Sequence, residues 1–181
     1  MADHAPTVRP AREADAAAIA EIYAPYVLET VISFETEPPA AAEMVARMSA
    51  HPAHPWLVAE RQGRTVGYAY AAPHAARPAY RWSVNVSVYL DRAHHRAGLG
   101  GRLYRTLFSL LRRQGFHSAF AGIALPNAAS VGLHEALGFE PIGVYRNVGF
   151  KLGRWVDVGY WGLELAPPRT PPEEPVGFGE L

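Results

Sequence analysis

The chain has 181 residues, 49% of them apolar and 19% charged, with a formal net charge of zero and no cysteine. That composition suits one globular domain with enough apolar side chains for a core. It excludes a disulfide scaffold, a thiolate zinc site and a cysteine nucleophile, and a zero net charge favours neither a nucleic-acid nor a membrane-surface partner. No apolar run approaches the ~18 residues of a membrane span. The start, MADHAPTVRP, lacks the basic-then-apolar pattern of a secretion signal. A soluble cytoplasmic protein is expected.

The first element reads as a short strand, Thr7 to Arg9, and a helix follows from about Arg12 with Ile19, Ile22, Tyr23 and Tyr26 on one face. Glu13 and Asp15 fall in its first turn, where the helix dipole favours acids. SFETEPP reads as a loop; Pro38 and Pro39 end it and open a second helix with Met44, Val45 and Met48 on one side. WLVAERQGRTVGYAYAAP reads as a hairpin, with strand 56–61, a turn at Gln62-Gly63 and strand 65–72. YRWSVNVSVYL, 80–90, alternates and is rich in Val, Tyr and Trp, which marks a central strand. A glycine turn then leads into a helix running to about Gln114. Leu99, Leu103, Leu107, Leu110 and Leu111 form its buried stripe, and Gly115 is its C-cap. FHSAFAGIAL is a strand, and PNAASVGLHEALGF a helix with Asn127 as N-cap and Gly138 behind it. Two strands, about 140–150 and 156–165, complete the order β-α-α-β-β-β-α-β-α-β-β. The fold class is α/β of the mixed, α+β kind: a single domain over 1–166, helices on the faces of a mixed sheet. The proline-rich tail, 167–181, reads as extended or mobile.

Gly98, Gly100 and Gly101 stand at the start of the central helix. A helix N-terminus exposes free N–H groups and a partial positive charge, and glycines let a phosphate approach them. The turn is not a Walker A loop, because Arg102-Leu103 follows Gly101 where Lys-Ser/Thr is required. Nor is it a dinucleotide fingerprint: position 103 is leucine, and no acid occurs between Gly101 and Glu135 to hold a ribose. A tight strand-to-helix turn without a ligand would have the same sequence.

SVYLDRAHHRAGLGGRLY resembles the acyl-CoA signature of the GNAT N-acetyltransferase superfamily, a strand, then Gln/Arg-x-x-Gly-x-Gly/Ala, then a helix. His95 stands at the motif's first position, a departure from Gln or Arg. NAASVGLHEALGF is similar to the family's Asn-x-x-Ala/Ser helix ending in Gly-Phe. PWLVAE, GYAYA, SVYL, ALPNAASVGLHEALGF and VGFKLGRWVDVGYW narrow the resemblance to the phosphinothricin acetyltransferase-like group, over about residues 7–165. The resemblance implies a GNAT acyl-CoA N-acyltransferase fold: a mixed, mostly antiparallel sheet with a splayed central parallel strand pair and flanking helices. It implies acetyl-CoA as co-substrate, no metal, and a homodimer. The backbone of Val88, Tyr89 and Leu90 would hold the acetyl and pantetheine end. Arg96, Ala97, Gly98, Leu99, Gly100 and Gly101 would hold the pyrophosphate. Asn127 would touch the pantetheine arm, although an N-cap asparagine needs no ligand to account for it.

Acetyl transfer to an amine requires loss of the amine's proton, stabilisation of charge on the thioester oxygen, and a proton for the leaving thiolate. By resemblance the acid–base candidate is His134; the same spacing suits a half-buried helix histidine beside Leu133 and Leu137. The backbone N–H of Leu90 is the expected donor to the carbonyl. The group's well-known members carry a catalytic glutamate where this chain has Asn85. An amide cannot take a proton at neutral pH, so Asn85 is expected to face the cleft and bind water or substrate, and three outcomes stay open: a slow enzyme, another group such as His134 taking the proton through water, or an acceptor that arrives partly deprotonated. Without a replacement, little turnover would remain, as in a CoA-binding sensor. Phe34 and Arg77 match pocket positions of the group, whereas its lysine two residues before the arginine is Ala75 here. Arg81 either compensates or is a solvated surface charge. Lys151 and Arg154 either reach across a dimer interface or sit in an exposed turn. The acceptor expected from the resemblance is a small-molecule amine of the phosphinothricin or methionine sulfoximine type, acetylated directly in a ternary complex. A different amine acceptor is the rival. His94 and His95 lack a third ligand nearby, so they are not read as a metal site.

Overall fold

A computed structural model describes residues 6–181; residues 1–5, which open both the expected 1–166 domain and the stretch read for a secretion signal, lie outside the described residues. In chain order the elements are β1 (Thr7–Pro10), α1 (Ala16–Glu29), α2 (Ala41–Ala50), β2 (Trp56–Arg61), β3 (Arg64–Pro73), β4 (Ser83–Leu90), α3 (Leu99–Gln114), β5 (Ser118–Leu125), α4 (Ala128–Ala136), β6 (Glu140–Lys151) and β7 (Arg154–Glu164). The strands form one seven-stranded sheet in the order β1-β2-β3-β4-β5-β7-β6. Every neighbouring pair is antiparallel except β4–β5, which is parallel. Among the described residues, no helix is long and apolar enough to cross a membrane.

The two faces of the sheet follow from strand alternation. Val84 and Val86 of β4 and Ala119, Ala121 and Ile123 of β5 point to the face covered by α3, whose Leu103, Leu107 and Leu111 are fully buried there. The leucine stripe read at helical spacing is therefore the core of that side. The opposite face packs Val58 and Tyr68 against Ile19, Ile22, Tyr23 and Tyr26 of α1 and Met44 of α2. Trp56, Tyr68, Tyr70 and Tyr89 form a row of stacked rings along this face.

The parallel contact is short. Ser83, Val84 and Asn85 pair with Ser118, Ala119 and Phe120, and there the pairing stops. β4 continues with β3 as far as Leu90, and β5 continues with β7 as far as Leu125. A gap thus opens between β4 and β5 with Asn85 and Phe120 at its apex, the splay that the family resemblance implied.

Several boundaries differ from the sequence reading for local reasons. Pro78 fixes φ and opens a 3-10 turn at Pro78–Tyr80, so β4 begins at Ser83 rather than near 80. A 3-10 turn, Glu13–Asp15, precedes α1. Asp15 is not a solvated first-turn acid: it is buried and receives Arg9 through both guanidinium nitrogens at 2.7 and 2.8 Å. That pairing holds its carboxyl below the usual carboxylate range. The tail is extended but tied down. Arg81 grips Glu174 at 2.6 and 2.7 Å, Trp82 Nε1 donates to the Glu173 carbonyl, and the Val176 amide donates to the Gln114 carbonyl. The buried Gln114 side chain donates in turn to the carbonyls of Ala53 and Val176 at 2.7 and 2.9 Å.

Candidate active site

The gap is lined by Val86 to Tyr89 of β4, Ala121 to Ala124 of β5, Tyr104 of α3, Ile32 of the α1–α2 loop, and Asn127, Ser130 and His134 at α4. Its polar edge follows from backbone alternation. The Asp91 amide donates to the Val66 carbonyl and the His74 amide to the Ser83 carbonyl, so odd-numbered residues of β4 direct their backbone groups at β3. Val86, Val88 and Leu90 direct theirs at the side from which β5 has departed.

Leu90, the expected carbonyl-polarising donor, is already engaged. The Tyr26 hydroxyl donates to the Leu90 carbonyl at 2.6 Å and lies 3.4 Å from the Leu90 amide. Val86 and Val88 are left as the amides facing the gap. Tyr89 contributes otherwise: its ring packs edge-on against Tyr23 and Tyr26.

His95 ties the glycine loop to the end of β4. Its Nε2 lies 2.9 Å from the Tyr26 hydroxyl and 3.3 Å from the Leu90 carbonyl. The carbonyl can only accept and the hydroxyl's one proton goes to it, so Nε2 carries hydrogen. This gives the departure at the motif's first position a physical role. The loop then turns through positive φ at Arg96 (61°) and Gly98 (72°), the latter a left-handed N-cap where glycine is at ease. Arg102 is the first residue of α3 whose amide finds a helical acceptor, the Gly98 carbonyl at 3.1 Å. The amides of Leu99, Gly100 and Gly101 have no partner among the described residues and open at the helix's positive end. Arg96 and Ala97 lie exposed in the same loop. At Gly100 a Cβ would approach Leu133 Cδ2 to 3.2 Å, so glycine lets α3 close on α4.

His134 is buried against Tyr104 and Phe139 on the α3 side of the sheet. Its Nδ1 donates to the Ser130 carbonyl at 2.8 Å, which fixes the tautomer and leaves Nε2 to accept from the Tyr104 hydroxyl at 3.1 Å. Burial pushes the His134 pKa down and the Tyr104 pKa up, so both groups are neutral near neutrality. Neither ring nitrogen of His134 is left over for an amine. Asn127 caps α4, its Oδ1 accepting from the Ser130 amide at 3.1 Å, and also lines the gap.

Asn85 lies on the α1/α2 face of the sheet, exposed at the apex of the gap. Its Oδ1 is 3.0 Å from His74 Nδ1. His74 escaped the sequence reading, because only the β3–β4 register, which sets Ala72 opposite Asn85, brings residue 74 alongside. Tyr26 and Tyr104 escaped too, as helix-face aromatics that only tertiary packing brings to the gap.

On this face a cavity of about 240 Å³ lies between α2 and the sheet, lined by Tyr23, Arg47, Trp56, Tyr70 and Ala72 among others. Arg47 is held there by both carboxylate oxygens of Glu35 at 2.8 and 3.0 Å. Tyr23 donates to Glu35 at 2.9 Å, and burial pushes its pKa up to about 12. Phe34 lies across β6, its ring covering the Gly149 Cα so closely that a Cβ would meet it at 2.1 Å. Arg77 is exposed and forms no ion pair among the described residues. Arg81 is spent on Glu174 and Trp82. Lys151 is not an exposed turn residue: it is buried, and Nζ donates to the Val27 and Ser33 carbonyls at 2.6 Å each, pinning the α1–α2 loop to β6. Arg154 is exposed beside the β6–β7 turn.

Comparison with known proteins matches the acetyltransferase (GNAT) domain family over residues 8–159. The chain is 44% identical over 173 residues to a phosphinothricin N-acetyltransferase of Streptomyces viridochromogenes, covering 93% of each protein. It is 38% identical over 161 residues to an L-methionine sulfoximine/L-methionine sulfone acetyltransferase of Salmonella typhimurium, covering 88% of this chain and 94% of that one. The crystal structure of a phosphinothricin acetyltransferase from Sinorhizobium meliloti in complex with AcCoA superposes with a TM-score of 0.90 at 37% identity, covering 96% of both chains.

Proposed function

The chain belongs to the GNAT acetyltransferase family as a phosphinothricin acetyltransferase-like N-acetyltransferase, and we propose that it moves the acetyl group of acetyl-CoA onto the α-amine of a small amino-acid-like acceptor. Phosphinothricin and methionine sulfoximine are the acceptors named for its relatives. The observation that carries this reading is the β4–β5 gap itself. It has three unpartnered amides at one end, Leu99, Gly100 and Gly101, and Asn85 and Phe120 at the other.

The roles follow from chemistry. The free amides of α3, with Arg96 and Ala97 beside them, suit a pyrophosphate. The Val88 amide suits the thioester end, where a fixed donor stabilises developing oxyanion charge, a term typically worth ~10²–10³ in rate. Leu90 and Tyr89 shape that end through Tyr26 rather than by donating. Asn127 and His134 line the pantetheine side, together with Tyr104. Arg77, which forms no ion pair among the described residues, is a cation suited to an acceptor carboxylate, and Phe34 closes the acceptor side. With no cysteine in the chain, direct attack in a ternary complex is the route. The edge strand β6 exposes Ile142, Tyr145 and Phe150, and the start of β7 exposes Trp155, an apolar surface that supports a homodimer.

The test is a panel of amines with acetyl-CoA, following CoA release. L-phosphinothricin, L-methionine sulfoximine and L-methionine sulfone are set against spermidine and a tripeptide. Higher kcat/KM for the amino-acid analogues is expected. Preference for the polyamine or the peptide would overturn the acceptor assignment.

A further inference from the structure

We propose that His74 is the general base of the acetyl transfer and that Asn85 sets its tautomer. The inference rests on the acetyltransferase reading above and deepens it at Asn85, where the family resemblance implied an acid.

The orientation of the Asn85 amide fixes the tautomer of His74. Asn85 Nδ2 faces two carbonyl oxygens, of Pro73 at 3.5 Å and of His74 at 3.4 Å. Turning the amide over would set Oδ1 against both acceptors, so Oδ1 belongs on the imidazole side, 3.0 Å from His74 Nδ1. An oxygen there demands a proton on Nδ1. The other nitrogen, Nε2, is therefore the one with a free lone pair, and it has no partner among the described residues. The ring is held between Phe120, with centroids 4.5 Å apart, and Tyr80, 5.6 Å away. Its hydrogen-bond and ring partners among the described residues are thus Asn85 of β4, Phe120 of β5 and Tyr80 of the 78–80 turn, and none is charged. Asn85 and Phe120 are also the last paired residues of the parallel contact, so the imidazole stands at the apex of the gap, on the face that carries the cavity between α2 and the sheet. The contrast with His134 is direct: both of its nitrogens are engaged, and it lies on the opposite face of the sheet.

The acceptor's ammonium gives one proton to His74 Nε2, directly or through one water. The freed nitrogen lone pair attacks the thioester carbon, a C–N bond forms, and the carbonyl π pair moves onto oxygen. When that pair returns, the C–S bond breaks and the electron pair leaves on sulfur. The second nitrogen proton neutralises the thiolate, and His74 passes the first proton to solvent.

The experiment compares the wild type with His74→Ala and with His74→Ala/Asn85→Glu, using L-methionine sulfoximine and L-phosphinothricin across a pH series. Acetyl-CoA binding serves as a check of folding. His74→Ala is expected to lower kcat by the ~10²–10⁴-fold typical of a lost general base, with acetyl-CoA binding retained. Added imidazole is expected to restore part of the activity. The double variant is expected to recover turnover with its acid limb moved to lower pH, where carboxylates rather than imidazoles titrate. A kcat unchanged in His74→Ala, or a loss that imidazole does not rescue and that leaves the acid limb in place, would overturn the proposal. A wild type inactive on every amine would instead defeat the functional reading, and this inference with it.

Discussion

Replacing Tyr26 by phenylalanine removes one oxygen from the junction between β4 and the glycine loop. That hydroxyl donates to the Leu90 carbonyl at 2.6 Å and accepts from His95 Nε2 at 2.9 Å. Tyr26 is buried, so water does not simply replace it. The Leu90 carbonyl keeps the longer contact to His95 at 3.3 Å and is not fully orphaned. The loss therefore belongs near the lower part of the ~1–3 kcal/mol range for an unsatisfied buried group, about 1–2 kcal/mol. Because the same atoms set where the loop leaves the strand, part of that energy is expected in acetyl-CoA binding, where ~1.4 kcal/mol is tenfold. Urea unfolding of Tyr26→Phe reads the first quantity, and the KM for acetyl-CoA reads the second. KM is expected to rise by up to ~10-fold with kcat little changed, the signature of lost uniform binding. A stability loss of that size with KM unmoved would refute the claim that Tyr26 and His95 position the loop.

Gly98→Ala forces a residue with a Cβ to hold a φ of 72°, at a cost of ~1–2 kcal/mol in stability, and is expected to raise the KM for acetyl-CoA. A KM and an unfolding midpoint like the wild type's would contradict the left-handed cap. Lys151→Met leaves the Val27 and Ser33 carbonyls without Nζ and is expected to lower the unfolding free energy by ~1–3 kcal/mol, read by chemical denaturation. A neutral result would mean that the loop is not pinned from β6. Burial lowers the His134 pKa, so the unfolded chain binds a proton near the ordinary value of ~6.5 while the folded chain does so only at lower pH. The stability tied to neutral His134 is thus complete above that value and is lost as pH falls below it, at up to ~1.4 kcal/mol per pH unit. Thermal melts of His134→Phe should lack this part of the slope; identical slopes would refute it. Phe150→Glu/Trp155→Glu, at exposed positions on β6 and β7, is expected to convert a dimer to a monomer by light scattering, and a wild type that is already monomeric would overturn the homodimer.

The periodic elements were legible because their signals are local. The leucine stripe of α3, the Gln62-Gly63 turn and the Asn127 cap each lie within a few residues of what they organise. The family motif likewise carried the glycine loop, since left-handed φ at Gly98 is a local demand. What was not legible depends on partners distant along the chain. Lys151 pairs with carbonyls 124 and 118 residues away, and Arg81 with a glutamate 93 residues on, so the sequence pointed to neither set of partners. Tyr26 reaches Leu90 across 64 residues, which changed the reading of the Leu90 amide from free to engaged. The His74–Asn85 contact spans only 11 residues, but it becomes visible only once the β3–β4 register is fixed.

Initial velocities of CoA release, with acetyl-CoA and L-methionine sulfoximine varied together, test the account most directly. Its central claim is that both substrates meet in the β4–β5 gap and react without an acyl-enzyme. Intersecting double-reciprocal lines, with one N-acetyl product formed per CoA released, are the predicted result. Parallel lines, or CoA release without an acetylated amine, would contradict it.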